Sequence, residues 1–243
     1  MKNYNIEKFT SKYEQLIGKE TTEHKKLKKK IRESLSYSQI NHLLYLHKHV
    51  RKECLKEKPS RKEYFSDIKW NWELHDYLYF VTKIQQKYCD GFHTPVSKIF
   101  KNTKENIVYG LKPNYDYRSR TSNFKYINEL TIDAFSQEGF SKNSKYGNEY
   151  YKEENHYTTI NNPYVNEIAC FPRFSNVCPI NGPYFHRNLI CLYKQKDGTA
   201  NINDYKSSIQ KRSEFNVCEK PIRIPGHGDA HTTSYTNFNK EKN

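Results

Sequence analysis

Apolar positions recur at helical spacing through the first ninety residues. Ile6, Phe9, Tyr13, Leu16 and Ile17 share one side of a helix, and Gly18 supplies its stop. Leu27, Ile31 and Leu35 then make a thin apolar stripe beneath a basic surface formed by Lys25, Lys26, Lys28, Lys29, Lys30 and Arg32. Ser36 and Gln39 have capping-box spacing, with Leu35 and Ile40 placed as a hydrophobic staple. The helix they open carries Ile40, Leu43, Leu44, His47, Val50, Cys54 and Leu55 on one face and closes before Pro59. Ser60 and Glu63 repeat the box. Helical spacing continues through Tyr64, Phe65, Ile68, Trp72, Leu74, Tyr77, Leu78, Val81, Ile84 and Tyr88 to Asp90-Gly91. The pattern predicts a basic helical segment over 1–35 and an αα-hairpin over 36–91.

After Gly110 neither a period of 2 nor of 3.6 persists. Seven of the nine prolines lie here, with Asn, Ser and Thr at short intervals, so regular structure is expected to be sparse. Ile168–Phe174 and Asn188–Tyr193 are candidate strands, the second followed by a Lys196-Asp197-Gly198 turn. The fold class expected is therefore mostly irregular with α: a small helical region, then an extended, turn-rich aromatic arm over 92–243 with at most short strands. Twelve Tyr and eight Phe fall beyond Gly110. Lacking an evident internal core, these rings are expected to order on a partner.

Composition sharpens this picture. Only 35% of the 243 residues are hydrophobic and 28% are charged, yet 15% are aromatic, unlike a chain that is simply disordered. There is no Gly period, no sustained heptad and no apolar run near the ~18–20 residues of a membrane span. The net charge of +14 favours an acidic partner, and +10 of it is carried by the residues up to Gly110. Residues 1–17 have neither a secretory apolar stretch nor the acid-poor, Arg-rich character of a transit peptide. A cytosolic setting is expected, with Cys54, Cys89, Cys170, Cys178, Cys191 and Cys218 as reduced thiols.

Candidate chemistry reduces to surfaces. The basic run at 25–32 has the residue types for docking on nucleic acid or an acidic protein, and equally those of a solvated helix face. No recognised nucleic-acid motif accompanies it. The stretch from Phe171 through Arg173, Phe174, Pro183, Tyr184 and Phe185 to Arg187 alternates prolines, rings and arginines. Such a segment binds a groove at low ordering cost, or forms turn-rich loops of a small β domain. Asn162-Pro163-Tyr164 echoes Gly182-Pro183-Tyr184. His227 and His231 lie four apart, but the cysteines lack the close pairs of structural zinc sites, so no metal or other cofactor is expected. No phosphate loop, nucleophile elbow or kinase signature is present, and no catalytic residue is assigned.

The modest helical part, the Pro/aromatic arm, Arg120-Thr121-Ser122-Asn123-Phe124, and the stretch from Pro225 through Tyr235 to Phe238 resemble the microtubule inner proteins of cilia and flagella. The resemblance implies a non-enzymatic scaffold in the axoneme. Such a scaffold binds tubulin and neighbouring axonemal proteins along the luminal wall of doublet microtubules. Tyr164, Phe171, Arg173, Phe174, Pro183, Tyr184, Phe185, Arg187, Tyr235 and Phe238 are the expected contacts, together with the basic run. A basic nucleic-acid-binding or ribonucleoprotein accessory protein is the alternative expectation, with rings stacking on bases.

Overall fold

The computed structural model describes residues 11, 13–15, 21–33, 35–57, 67–88, 93–94, 96–111, 123–137, 156–162, 164–175, 186–196 and 224. In chain order their elements are α1 (Thr22–Glu33), α2 (Tyr37–Glu57), β1 (Lys69–Trp70), α3 (Trp72–Tyr88), α4 (Val96–Ile99), β2 (Thr103–Leu111), α5 (Asn123–Gln137), α6 (His156–Ile160), β3 (Val165–Ser175) and β4 (His186–Gln195).

The helix starts follow local chemistry. Thr21 Oγ1 accepts from the His24 amide at 3.2 Å and caps α1. Glu23 in its first turn and Lys30 and Arg32 in its last complement the helix dipole. At α2 the capping box forms: the Gln39 amide donates to Ser36 Oγ at 3.3 Å and the Ser36 amide to Gln39 Oε1 at 2.9 Å. Leu35 and Ile40 are both buried at that end. Asn71 caps α3, accepting from the Leu74 amide at 3.0 Å. Its own amide donates to the Ile168 carbonyl at 2.9 Å, extending the parallel pairing of β1 with β3 (Lys69↔Glu167, Trp70↔Ile168).

The sheet has the order β1-β3-β4-β2, with β3/β4 and β4/β2 antiparallel. Its central strands read as continuous apolar runs because both faces are covered. Ile168, Cys170, Leu189, Cys191 and Tyr193 face a cluster completed by Leu43, Leu46 and Val50 of α2, Ile132 and Phe135 of α5, and Tyr157 and Ile160 of α6. The alternate residues Ala169, Ile190 and Leu192, with Ile107 of β2, face a second cluster. It is built on Leu74, Tyr77, Leu78, Phe80 and Val81 of α3, with Ile31 of α1 and Val96 of α4. The result is three layers, with helices on both sides of a small mixed sheet.

This arrangement corrects the expectations in three respects. First, α2 and α3 do not pack as a hairpin. They bury their apolar faces against opposite sides of the sheet, because β1 between them joins its edge and both faces of β3 and β4 present apolar side chains. The second capping box, at Ser60 and Glu63, lies outside the described residues. Second, β3 and β4 are 11 and 10 residues long, not short strands. The region read as an arm contributes Ile132, Phe135, Tyr157, Ile160, Ile168, Leu189 and Tyr193 to the core.

Third, Cys170 and Cys191 are joined in a cystine, with a Cα–Cα distance of 4.1 Å. Cys54 is also disulfide-bonded, to a partner outside the described residues. The reduced thiols expected at these positions are thus replaced by cystines. The physical reason is register. Cys170 and Cys191 are direct partners in the ladder, and directly opposed side chains on one face of an antiparallel pair have Cβ atoms close enough to bridge.

Candidate functional site

The basic run of the sequence lies on α1, and the fold fixes which way it faces. Ile31 is buried among α3 and sheet side chains. Arg32 donates through Nη2 to the buried Asp76 carboxylate of α3 at 3.3 Å, and its guanidinium lies 5.5 Å from the centroid of the Trp72 ring. Tyr37, largely exposed, meets the same ring edge-on at 6.4 Å. With its apolar edge anchored, α1 leaves Lys25, Lys26, Lys29 and Lys30 exposed and Lys28 half-buried. No ion pair among the described residues engages these five lysines. Lys25/Lys29 and Lys26/Lys30 are i,i+4 like-charge pairs, which oppose helix formation. The helix holds that repulsion through its cap, its dipole and the Arg32–Asp76 anchor.

A second polar constellation lies on the same side of the sheet. Glu105 of β2 accepts from His93 Nδ1 at 2.9 Å, from the Thr94 amide at 3.0 Å and from Thr94 Oγ1 at 2.6 Å. The His93 side chain is 65% exposed and the Glu105 side chain 4%. The hydrogen bond to Glu105 raises the His93 pKa above the usual imidazole value, against a smaller opposing effect of burial. With its carboxylate taken up by three donors, Glu105 serves as a polar clamp on residues 93–94 and offers His93 to solvent as a cation in mildly acidic conditions. The neighbouring Asn106 points to the opposite face and donates to the His156 carbonyl at 3.1 Å. Across the sheet, His42 of α2 meets Glu129 of α5 at 3.2 Å.

The other expected contacts are dispersed. Phe171 packs within the chain, 5.5 Å from the His75 ring and 5.8 Å from Tyr79. Tyr164 is half-buried, its amide donating to Asn162 Oδ1 at 2.9 Å. Arg173, Phe174 and Arg187 are ladder positions of β3 and β4, paired Arg173↔Asn188 and Phe174↔Arg187. Pro183, Tyr184, Phe185, Tyr235 and Phe238 lie outside the described residues, as do His227, His231, Cys178 and Cys218. Among the described residues the lysines thus share one surface with Arg32, Trp72 and Tyr37, whereas Phe171 packs against His75 and Tyr79. His93, Glu105 and Thr94 were missed in the sequence. They carry no motif spacing, and only the closure of β2 onto residues 93–94 brings them together.

No family model matches this chain, and no curated protein matches it. One solved structure, described as a crystal structure of NaASP2 with Zn2+, is similar over 76% of this chain and 96% of that one, with 15% identity and a TM-score of 0.44.

Proposed function

We propose that the protein is a non-enzymatic binding module that engages an acidic macromolecule through the exposed lysine face of α1. The observation that carries this reading is the rigid presentation of Lys25, Lys26, Lys29 and Lys30 on a helix anchored by Ile31 and by Arg32–Asp76. An anionic partner relieves the i,i+4 repulsion that the free helix sustains, so binding and helix stability reinforce each other. The acidic tubulin lattice expected from the resemblance is one such surface and nucleic acid is another. The cystines favour a partner met outside the reducing cytosol, where disulfides persist.

The test compares polymerised tubulin, RNA and a sulfated polysaccharide at 50 and 200 mM salt. Replacing Lys25, Lys26, Lys29 and Lys30 by Gln is expected to weaken binding to the preferred polyanion about 30-fold, at roughly 0.5 kcal/mol per lysine, and to flatten its salt dependence. Undiminished binding by this variant removes α1 as the interface. Differential alkylation of the protein from its native source tests the compartment. Labelling of Cys170 and Cys191 without prior reduction returns the protein to the cytosol, where the tubulin lattice is the natural partner.

A further inference from the structure

We propose that Cys170, Cys191 and His47 form a zinc site when the Cys170–Cys191 disulfide is reduced, so that the same side chains hold the core together by a covalent bond in one redox state and by a metal in the other. It is independent of the role read for α1. The two sulfurs and a ring nitrogen of His47 all lie within 4.8 Å of one another, and all three residues are fully buried. Cysteine donors of a tetrahedral zinc stand roughly 3.8 Å apart, given Zn–S bonds of about 2.3 Å. The unlinked sulfurs therefore need only separate by a short distance, and the three donor atoms already lie that close together.

The imidazole is prepared for this role. His47 Nδ1 is 2.8 Å from the Leu43 carbonyl, which can only accept, so Nδ1 carries the proton and Nε2 the lone pair. A metal-bound histidine that donates its other N–H to a backbone carbonyl is the usual outer-shell arrangement of zinc sites. Nε2 is 2.9 Å from the Tyr193 hydroxyl, which donates to it here and gives up that hydrogen bond when the metal takes the lone pair.

The chemistry balances with a low-molecular-weight thiol as reductant. One thiolate attacks a cystine sulfur, giving a mixed disulfide and freeing the other cysteine. A second thiolate attacks the reductant's own sulfur in that mixed disulfide and displaces the remaining protein cysteine, so the reductant leaves as its own disulfide, having delivered two electrons. Cys170 and Cys191 end as thiols. On binding Zn2+ each releases its proton and His47 gives only its lone pair, so two protons leave per metal.

The experiment uses the full chain, reduced with a phosphine and supplied with Zn2+, or with Co2+ as a visible probe. Before reduction no metal should bind at this site. After it, one equivalent should bind, with the absorption of tetrahedral thiolate-bound Co2+, and Zn2+ should raise the melting temperature of the reduced protein by about 5 °C or more. His47→Gln should weaken the metal at least 10-fold, while Tyr193→Phe should retain it. If reduction loosens the fold, Zn2+ should restore the lost helical signal in wild type and not in Cys170→Ser. The proposal is overturned if the reduced protein gains neither a cobalt spectrum nor thermal stability. It also fails if His47→Gln and Cys170→Ser bind metal as tightly as wild type, since the ligands are then other cysteines.

Discussion

The two faces of the sheet are covered by different means. Against α2, α5 and α6 the apolar cluster is laced with polar and covalent ties: the Cys170–Cys191 cystine, the His47–Tyr193 hydrogen bond, and the buried Arg51. The Arg51 guanidinium donates to the carbonyls of Ile160 (3.1 Å), Asn162 (2.8 Å) and Val165 (3.0 Å). Against α1, α3 and α4 the cluster mixes aliphatic side chains with rings. Tyr13 packs on Tyr77 at 5.2 Å and Phe80 at 5.8 Å, and Phe171 on His75 and Tyr79. Ring packing is non-directional in its main energy, whereas a buried cation or a cystine is satisfied in one geometry only. The first face therefore specifies the arrangement of the strands, and the second supplies area and carries the basic helix outward.

The sharpest way to break the comparison is at Arg51. Burial lowers its pKa to about 10, so it remains a cation at neutral pH, and its three carbonyl partners hold the turn from α6 into β3. Arg51→Met removes the charge but strands those acceptors. A loss of about 3–5 kcal/mol is expected in chemical denaturation. A loss below about 1 kcal/mol, the size of one ordinary hydrogen bond, means that the polar ties on this face are dispensable.

Acid separates the two faces next. Burial holds His47 at about 4, below the 6.5 of an unfolded histidine. Between those values the unfolded chain binds the proton and the native chain does not, so stability falls as pH drops from about 6.5 to about 4, by roughly 3 kcal/mol at most. His93 has the opposite sign. Its raised folded pKa adds stability below the unfolded value, lost as pH rises through the folded one, and its exposure makes that contribution small. His47→Gln should flatten the acid limb of a pH–stability curve, and His93→Gln should barely move it.

A smaller loss than that of Arg51→Met is expected where the second face meets α1. Arg32→Ala leaves the buried Asp76 carboxylate without its guanidinium, at a cost of about 1–2 kcal/mol. Loosened α1 should show as faster amide exchange over 22–33, with the exchange of β3 and β4 unchanged. Equal acceleration of both would mean that the two faces are one cooperative unit.

Much of the amino-terminal structure was legible because its signals are local. Ser36 and Gln39 cap α2 from within one turn, and the stripe of Leu27 and Ile31 seats α1. The core of β3 was visible in Ile168–Phe174, although the strand spans Val165–Ser175. What stayed hidden depends on distant partners. β2 places the polar Glu105 and Asn106 inward, satisfied by His93 and Thr94 on one face and by the His156 carbonyl on the other, so its hydrophobic pattern does not alternate. α5 is diluted by buried Asn128, Thr131, Asp133 and Ser136, and Asp133 accepts from the Ile224 amide 91 residues away. Nothing near Arg51 distinguishes it from the exposed lysines around it. The Cys170–Cys191 cystine is not legible because the two residues, 21 apart, meet only through the strand register.

That register gives the cystine a second meaning. Cys170 and Cys191 face each other only when β3 and β4 pair as they do here. A slip of one residue turns one sulfur to the opposite side of the sheet. Oxidation is therefore a receipt for correct pairing, issued once per molecule. In a refolding mixture held oxidising and free of metal, the fraction of chains still reactive at these two positions after oxidation is complete counts the misaligned ones, without any assay of what the folded protein binds.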